Sequence, residues 1–382
     1  MADIGYNDNV SVSNRTFHIQ TATNIKKGSA RCEVFEQGKL ITTYQINFER
    51  RKSFDEEMLE KRIRHIVSSL HRETIEEIEM LFQISEKVKK LKHAPSSIKL
   101  GLIFFRNNLY EDAITHFENA LSIDPNSGEA LNYLGLTYIH LGQSAKAIKF
   151  LKMALDKKYK YADLYQNLGL AYLSEKQHYK AAQYLQEAIR INPHYHLAHF
   201  NLAIVYIESC ITDRSDDFFP PPSIRLERAL QQLRKLNGAS LPVMEKVLTK
   251  VENALAENKL SQAVQILTSS REKIFPAEID SLIGMDFYLK FMYGGKNLNN
   301  DIIKKFETRL NEAIEKNGNF ADLWNNLGIV HLIQCRNLFL QAINEFDKAL
   351  ELNPSFDKAL KNKKLVENDG KEFLILLRAI LR

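Results

Sequence analysis

Leu100, Leu134, Leu168 and Leu202 recur at a fixed step of 34 residues, and other columns keep the same step. Gly101, Gly135 and Gly169 follow them, with Ala203 in the fourth place. Phe104, Tyr138, Tyr172 and Tyr206 form an aromatic column; Ala113, Ala147 and Ala181 form a small one, and Ala120, Ala154 and Ala188 another. Large and small apolar residues held in register at this period specify pairs of antiparallel helices that stack on their neighbours, a mainly α solenoid. Such arrays act by presenting a long surface, which is where function is to be sought.

Three clean units run over 94–127, 128–161 and 162–195. Pro125 and Pro193 stand where a second helix has to stop, and no proline falls inside the expected helices of these units. A fourth unit begins at His196–Ile207 and is interrupted by Cys210–Ser223, an acidic loop ending in Pro220-Pro221-Pro222. Residues 208–320 read as degenerate helical pairs, and whether they continue the array is left open. The period returns over 321–382 with Trp324, Leu327, Gly328 and His331, then Ala342, Phe346, Ala349 and Pro354. Two extra residues separate those two expected helices, and a terminal helix follows.

Residues 1–92 differ in kind, and the expectation is a small α+β domain with a three-stranded antiparallel sheet. Phe17, Ile19 and Thr21 alternate with polar neighbours over Arg15–Thr23, which predicts a half-buried strand. A second strand is expected over Ala30–Phe35. A hairpin at Glu36-Gln37-Gly38-Lys39 leads to a third, with Leu40, Thr42, Tyr44, Ile46 and Phe48 on one face. The cover for that face is one long helix or two, carrying Leu59, Ile63, Ile66 and Leu70 and then Ile75, Ile78, Leu81 or Phe82, Ile84 and Val88.

Charge and cysteine content narrow the function. The formal net charge is +5 in 382 residues, with both signs mixed along most helices, so no nucleic-acid partner is expected. Cys32, Cys210 and Cys335 are odd in number and far apart, which argues against a disulfide framework or a zinc knuckle. No leader and no membrane-spanning run is read, and a cytoplasmic setting is expected. Phosphate-loop, dinucleotide-binding, serine-hydrolase and zinc-protease motifs are missing, so neither catalysis nor a cofactor is expected.

The repeat columns resemble the tetratricopeptide repeat. The resemblance rests on Leu131, Leu134, Gly135, Tyr138, Ala147, Leu151 and Ala154 in one unit. In the next it rests on Tyr165, Leu168, Gly169, Tyr172, Ala181, Leu185, Ala188 and Pro193. It implies a right-handed superhelix whose first helices line a concave groove. Asn167, Asn201 and Asn326 share one column two residues before the Gly/Ala column, and Asn132 stands one residue earlier in its unit. The resemblance implies that these amides grip the backbone of a client, since an amide offers a donor and an acceptor together. Leu136, Leu170, Ile204 and Ile329 form an apolar column beside them, a wall for an apolar or amphipathic segment.

The expected function is a scaffold that binds a protein or peptide partner. Three other readings stand beside it: self-association through the apolar Phe373–Arg382, RNA binding, and chemistry in the first domain at His18 or Cys32. His196 and His199 lie three apart on one helix, but no carboxylate or thiol close in sequence completes a metal site.

Overall fold

A computed structural model describes residues 3–48, 56–212, 219–237, 243–275, 289–290, 293, 300–317 and 321–380. The N-terminal sheet has four strands, β1 (Gly5–Val12), β2 (Arg15–Asn24), β3 (Ser29–Glu36) and β4 (Lys39–Asn47), in an antiparallel meander of that order. One more strand is present than the residue pattern indicates. β1 carries Asn7, Asp8 and Asn9, poor strand formers, and it turns into β2 through Ser13-Asn14 rather than through a glycine. Both turn residues are left-handed (φ 50° and 60°), as are Gln37 and Gly38 in the β3–β4 hairpin (φ 49° and 79°). Two left-handed residues are what a two-residue hairpin with the native twist requires.

β4 keeps Thr42, Tyr44 and Ile46 on the expected face and departs from it at Leu40. Phe35 pairs with Leu40 but Val34 with Thr42, so Ile41 is an extra residue in a bulge. The bulge reverses the alternation. Ile41 is buried, Leu40 is exposed, and Thr42, Tyr44 and Ile46 lie on the inner face with Val34, Cys32 and Ala30.

A single helix, α1 (Glu56–Lys89), covers that inner face. Its buried residues include Ile63, Val67, Ile78, Leu81, Phe82, Ile84 and Val88, and among them the polar His71, Thr74 and Ser85, which the apolar pattern does not mark. The polar members are satisfied across the interface. Thr21 Oγ1 lies 2.8 Å from His71 Nδ1 and donates to Cys32 Sγ (3.0 Å), while His71 Nε2 lies 2.9 Å from Asp8 Oδ2. Cys32 is fully buried, and burial pushes its thiol above the ordinary range. His18 pairs with Phe35 on the opposite, exposed face, so the two residues singled out for chemistry stand on different sides of the sheet.

The repeats follow as α2 (Ala94–Arg106), α3 (Tyr110–Ile123), α4 (Gly128–His140), α5 (Ser144–Asp156), α6 (Ala162–Ser174), α7 (His178–Ile191), α8 (His196–Thr212) and α9 (Pro222–Asn237). Within three of these pairs the turn puts one left-handed residue between the helices: Asn108, Gly142 or Lys176. Small residues let the partners close. A Cβ placed on Gly135 would meet Leu151 Cγ at 2.5 Å, and one on Gly169 would meet Leu185 Cγ at 2.6 Å. The fourth pair survives its insertion because Arg225, fully buried, donates to Ser209 O (3.0 Å) and lies over the Phe219 ring. Phe219 packs on Tyr179 and Tyr206; residues 213–218 lie outside the described residues.

The sheet joins the first repeat through named contacts. Arg15 makes a bidentate pair with Glu36 (2.5 and 2.7 Å), reaches Asp112 of α3 (2.6 Å) and lies over the Phe17 and Phe82 rings. Asn108 Nδ2 donates to Ile41 O (2.9 Å). His116, fully buried, stacks on Phe104 and sits 2.8 Å from Ser85 Oγ of α1. Desolvation, and then the nearby Lys89, lower its pKa to about 4.

Beyond α9, α10 (Met244–Ala256) and α11 (Leu260–Ile274) form another pair, seated differently. In the regular units the first helix of a pair packs on the first helix before it; here α11, the second helix, packs on α8, and α10 on α9. Phe275 meets Phe200 edge-on, and Ile211 shares a cleft with Leu260, so α11 runs antiparallel to α8.

Met1–Asp286 is one compact unit and Phe287–Arg382 a second. The second contains helices Asn300–Asn317, Ala321–Leu352 and Asp357–Ile380, with Ile303, Val330 and Ile333 at its core. Residues 321–352 are one continuous helix of 32 residues, where the sequence pattern indicates a helical pair. Between Gln334 and Gln341 there is no glycine, and Leu338, Phe339 and Leu340 carry the helix across the expected turn. Trp324, in the aromatic column, is 56% exposed as a result, and nothing lies within 4 Å of a Cβ placed on Gly328.

Two outcomes follow from this packing. Gly135→Ala overpacks Leu151 and costs about 1–3 kcal/mol, whereas Gly328→Ala meets open space and is neutral or stabilising by up to about 1 kcal/mol; urea denaturation of each variant reads both. His116 must stay neutral in the fold, while in the unfolded chain it takes up a proton below about pH 6.5. The unfolded state therefore binds more protons between about pH 6.5 and pH 4, and stability falls as pH drops through that window, by at most about 3 kcal/mol. His116→Leu flattens this slope, measured as the urea midpoint at a series of pH values.

Candidate binding groove

α2, α4, α6 and α8 pack on one another in sequence, whereas α3, α5 and α7 touch only the first helices on either side. The stack therefore curves with the first helices inside. Leu136 and Leu170 are half-buried on this wall, as are Ile139 and Leu173 one turn on; Ile204 is buried. Ile329 belongs to the second unit, half-buried against the Ile303, Val330 and Ile333 core.

The asparagines are organised more tightly than a row of free amides. Asn132, Asn167 and Asn201 are all buried. Asn167 Nδ2 donates to Asn132 Oδ1 (2.9 Å), and Asn132 Nδ2 donates to Asp163 Oδ2 (2.7 Å). A diagonal ladder thus ties α6 to α4. Gln166 stands one repeat beyond Asn132 in the same column, with a longer amide in place of asparagine. Gln166 Oε1 and Asn201 Nδ2 are buried without a hydrogen-bond partner among the described residues. The side chain of Asn326 lies outside the described residues.

Aromatic and acidic side chains gather at the Asp163 end. Tyr159 donates a long hydrogen bond to Asp163 (3.5 Å) and packs against Tyr161. Burial, and then the Asp163 charge, push Tyr195 up to about 12 and raise Tyr159 further. Burial and Asp163 also raise the Glu129 carboxyl. Tyr159 lies in the connection between α5 and α6, and Tyr195, one period after Tyr161, stands just before α8; both lie in connections rather than in the helical columns that the repeat search follows.

His199 is engaged: Nε2 lies 2.9 Å from Pro193 O and Nδ1 2.7 Å from Gln232 Oε1. Among the described residues no three His, Cys, Asp or Glu side chains come together as a metal site. No helix among them is long and apolar enough to cross a membrane.

Paired helices in register, with small-over-large contacts at a 34-residue step, define a helical repeat protein. Sequence profiles of the tetratricopeptide repeat match residues 104–169 and 162–195. Residues 104–195 of the chain are tetratricopeptide repeats. The chain is 34% identical over 67 residues to a peroxisomal targeting signal receptor of Kluyveromyces lactis, a match covering 18% of this chain and 12% of the receptor. Among solved structures it is similar to YrrB, described as a tetratricopeptide-repeat protein with an unusual peptide-binding site. That similarity has 17% identity and a TM-score of 0.35, over 53% of this chain and 95% of that one. It is similar also to MamA, with 24% identity and a TM-score of 0.35, over 48% of this chain and 96% of that one.

The ladder carries load whatever the groove binds. Asn132→Ala removes a partner from both Asn167 and Asp163 and lowers stability by about 1–3 kcal/mol in urea denaturation. Truncating half-exposed Leu170 costs less.

Proposed function

We propose that the chain is a non-catalytic scaffold that holds a segment of a protein partner along the inner wall of α2, α4, α6 and α8. The observation that carries this reading is the wall itself, where Leu136, Ile139, Leu170 and Leu173 remain partly exposed on stacked helices. Apolar side chains at helical spacing beside buried amides suit an extended or helical segment that brings its own apolar anchors. Asn132, Asn167 and Asn201 are the amides assigned to this site, with Leu136, Leu170 and Ile204 as its apolar contacts; Asn326 and Ile329, read from the same columns, belong to the second unit. In the first unit the ladder holds Asp163 in place, while the unpartnered Asn201 Nδ2 and Gln166 Oε1 supply a donor and an acceptor for a peptide group. The setting is cytoplasmic and no cofactor takes part.

A second reading is self-association through the second unit. Trp324, Leu338, Leu352, Phe356, Leu360 and Leu365 are exposed there, an apolar set large for a surface without a partner. Phe373–Arg382, the segment first assigned to that role, has its side chains outside the described residues.

Affinity capture from lysate tests the first reading, with the wild type beside Leu136→Glu/Leu170→Glu. The groove reading expects partners held by the wild type to be lost with the charged wall, and an unchanged set overturns it. Light scattering tests the second: a mass that rises with concentration and falls back in Leu338→Asp/Leu365→Asp supports self-association, and a constant monomer mass rejects it.

A further inference from the structure

Residues 144–160 hold six lysines, Lys146, Lys149, Lys152, Lys157, Lys158 and Lys160, against one acid, Asp156. The local excess is +5 over these residues, a dense basic run along α5 and the connection after it. All six are exposed, and none pairs with a carboxylate among the described residues. Lys157 bonds only the amide of Asn126 (2.7 Å).

The lysines nearest the helix seam are placed by the repeat itself. Tyr138 stacks on Phe150 (5.4 Å, 5°), and Tyr172 stacks on Tyr184 (5.3 Å, 4°), the same two columns one unit apart. Lys146 lies over the Tyr138 ring at 5.4 Å, and Lys180, in the same column of the next unit, lies over Tyr172 at 5.4 Å. Lys152 reaches the Tyr172 ring as well, at 5.9 Å. Each ring attracts the ammonium groups electrostatically and so restricts where they sit. Lys152 and Lys180 thereby converge on one cleft of about 360 Å³, lined also by Tyr165, Tyr184, Gln183 and Glu187. Glu187, the acid in that lining, is already held by Arg190 through two contacts (2.6 and 2.8 Å).

Three anionic partners suit a lysine row, and the local geometry separates them. Each tyrosine ring is stacked on its aromatic neighbour and approached by lysine, which leaves no open platform for a nucleic-acid base. The paired lysines face a recess that admits a side chain rather than the plane of a bilayer. We propose that the α5/α7 face is a second docking surface, separate from the inner wall, for an Asp/Glu-rich protein segment. One carboxylate of that segment enters the Lys152/Lys180 cleft and another meets Lys146 one repeat away.

The test is fluorescence anisotropy on the full chain with three probes: a labelled polyglutamate peptide, a labelled oligothymidylate, and phosphatidylcholine vesicles containing phosphatidylserine. The peptide binds wild type, and its affinity falls as salt rises from about 50 to 200 mM, as a surface contact screened over roughly 10 Å must. Lys146→Gln/Lys152→Gln/Lys180→Gln weakens peptide binding by about tenfold or more, in the range that three lost charge contacts produce. The charge-matched control Lys358→Gln/Lys361→Gln/Lys364→Gln, three exposed lysines of the second unit, leaves it unchanged. Circular dichroism melting confirms that both variants fold. Equal loss in the two variants, no peptide binding by folded wild type, or tighter binding of the oligothymidylate or the vesicles than of the peptide each overturns the proposal.

Discussion

The close approach of a glycine backbone to a leucine or phenylalanine side chain sets the geometry of the helical pairs around it. At Gly101 on Phe117, Gly135 on Leu151 and Gly169 on Leu185 the helices of a pair stand nearer than a Cβ would permit. That distance fixes how far each pair tilts on the next, and hence which helices end up inside the curve. The contrast lies within the same chain. At Gly328 no second helix folds back, the space beside the glycine is open, and the aromatic column residue Trp324 is left exposed.

Much of the repeat region is legible in the residues because its constraint is periodic. A fault in one unit is visible against the others, and boundaries follow from where Gly, Ala and Leu recur. The turns are legible for another reason: they tolerate Asn108, Gly142 or Lys176, so the left-handed residue need not be glycine so long as helices must stop there. Where nothing forces a stop, as over Gln334–Gln341, the same column match yields one long helix.

The N-terminal sheet is less legible because its constraints are not local. β1 is a strand because β2 offers it a partner and α1 offers its inner face a cover, not because Asn7, Asp8 and Asn9 favour extension. The Ile41 bulge reverses a clean alternation, and the stripe of α1 conceals His71, Thr74 and Ser85, whose partners lie some 30 or more residues away. The asparagine column shows the same limit. Its spacing marks a special position, while the ladder through Asn132, Asn167 and Asp163 becomes visible only once α4 and α6 are side by side.

The joint made by Arg15, Glu36, Asp112 and the buried His116 has a consequence for the array as a whole. A stack of helical pairs has two raw ends, each an apolar face that invites another pair. Here the sheet and α1 close off the α2/α3 end with charge and stacked rings, where a polar helix would otherwise serve as the lid. The array thereby gains a direction, with its α2/α3 end closed by an element of a different kind from the repeats themselves.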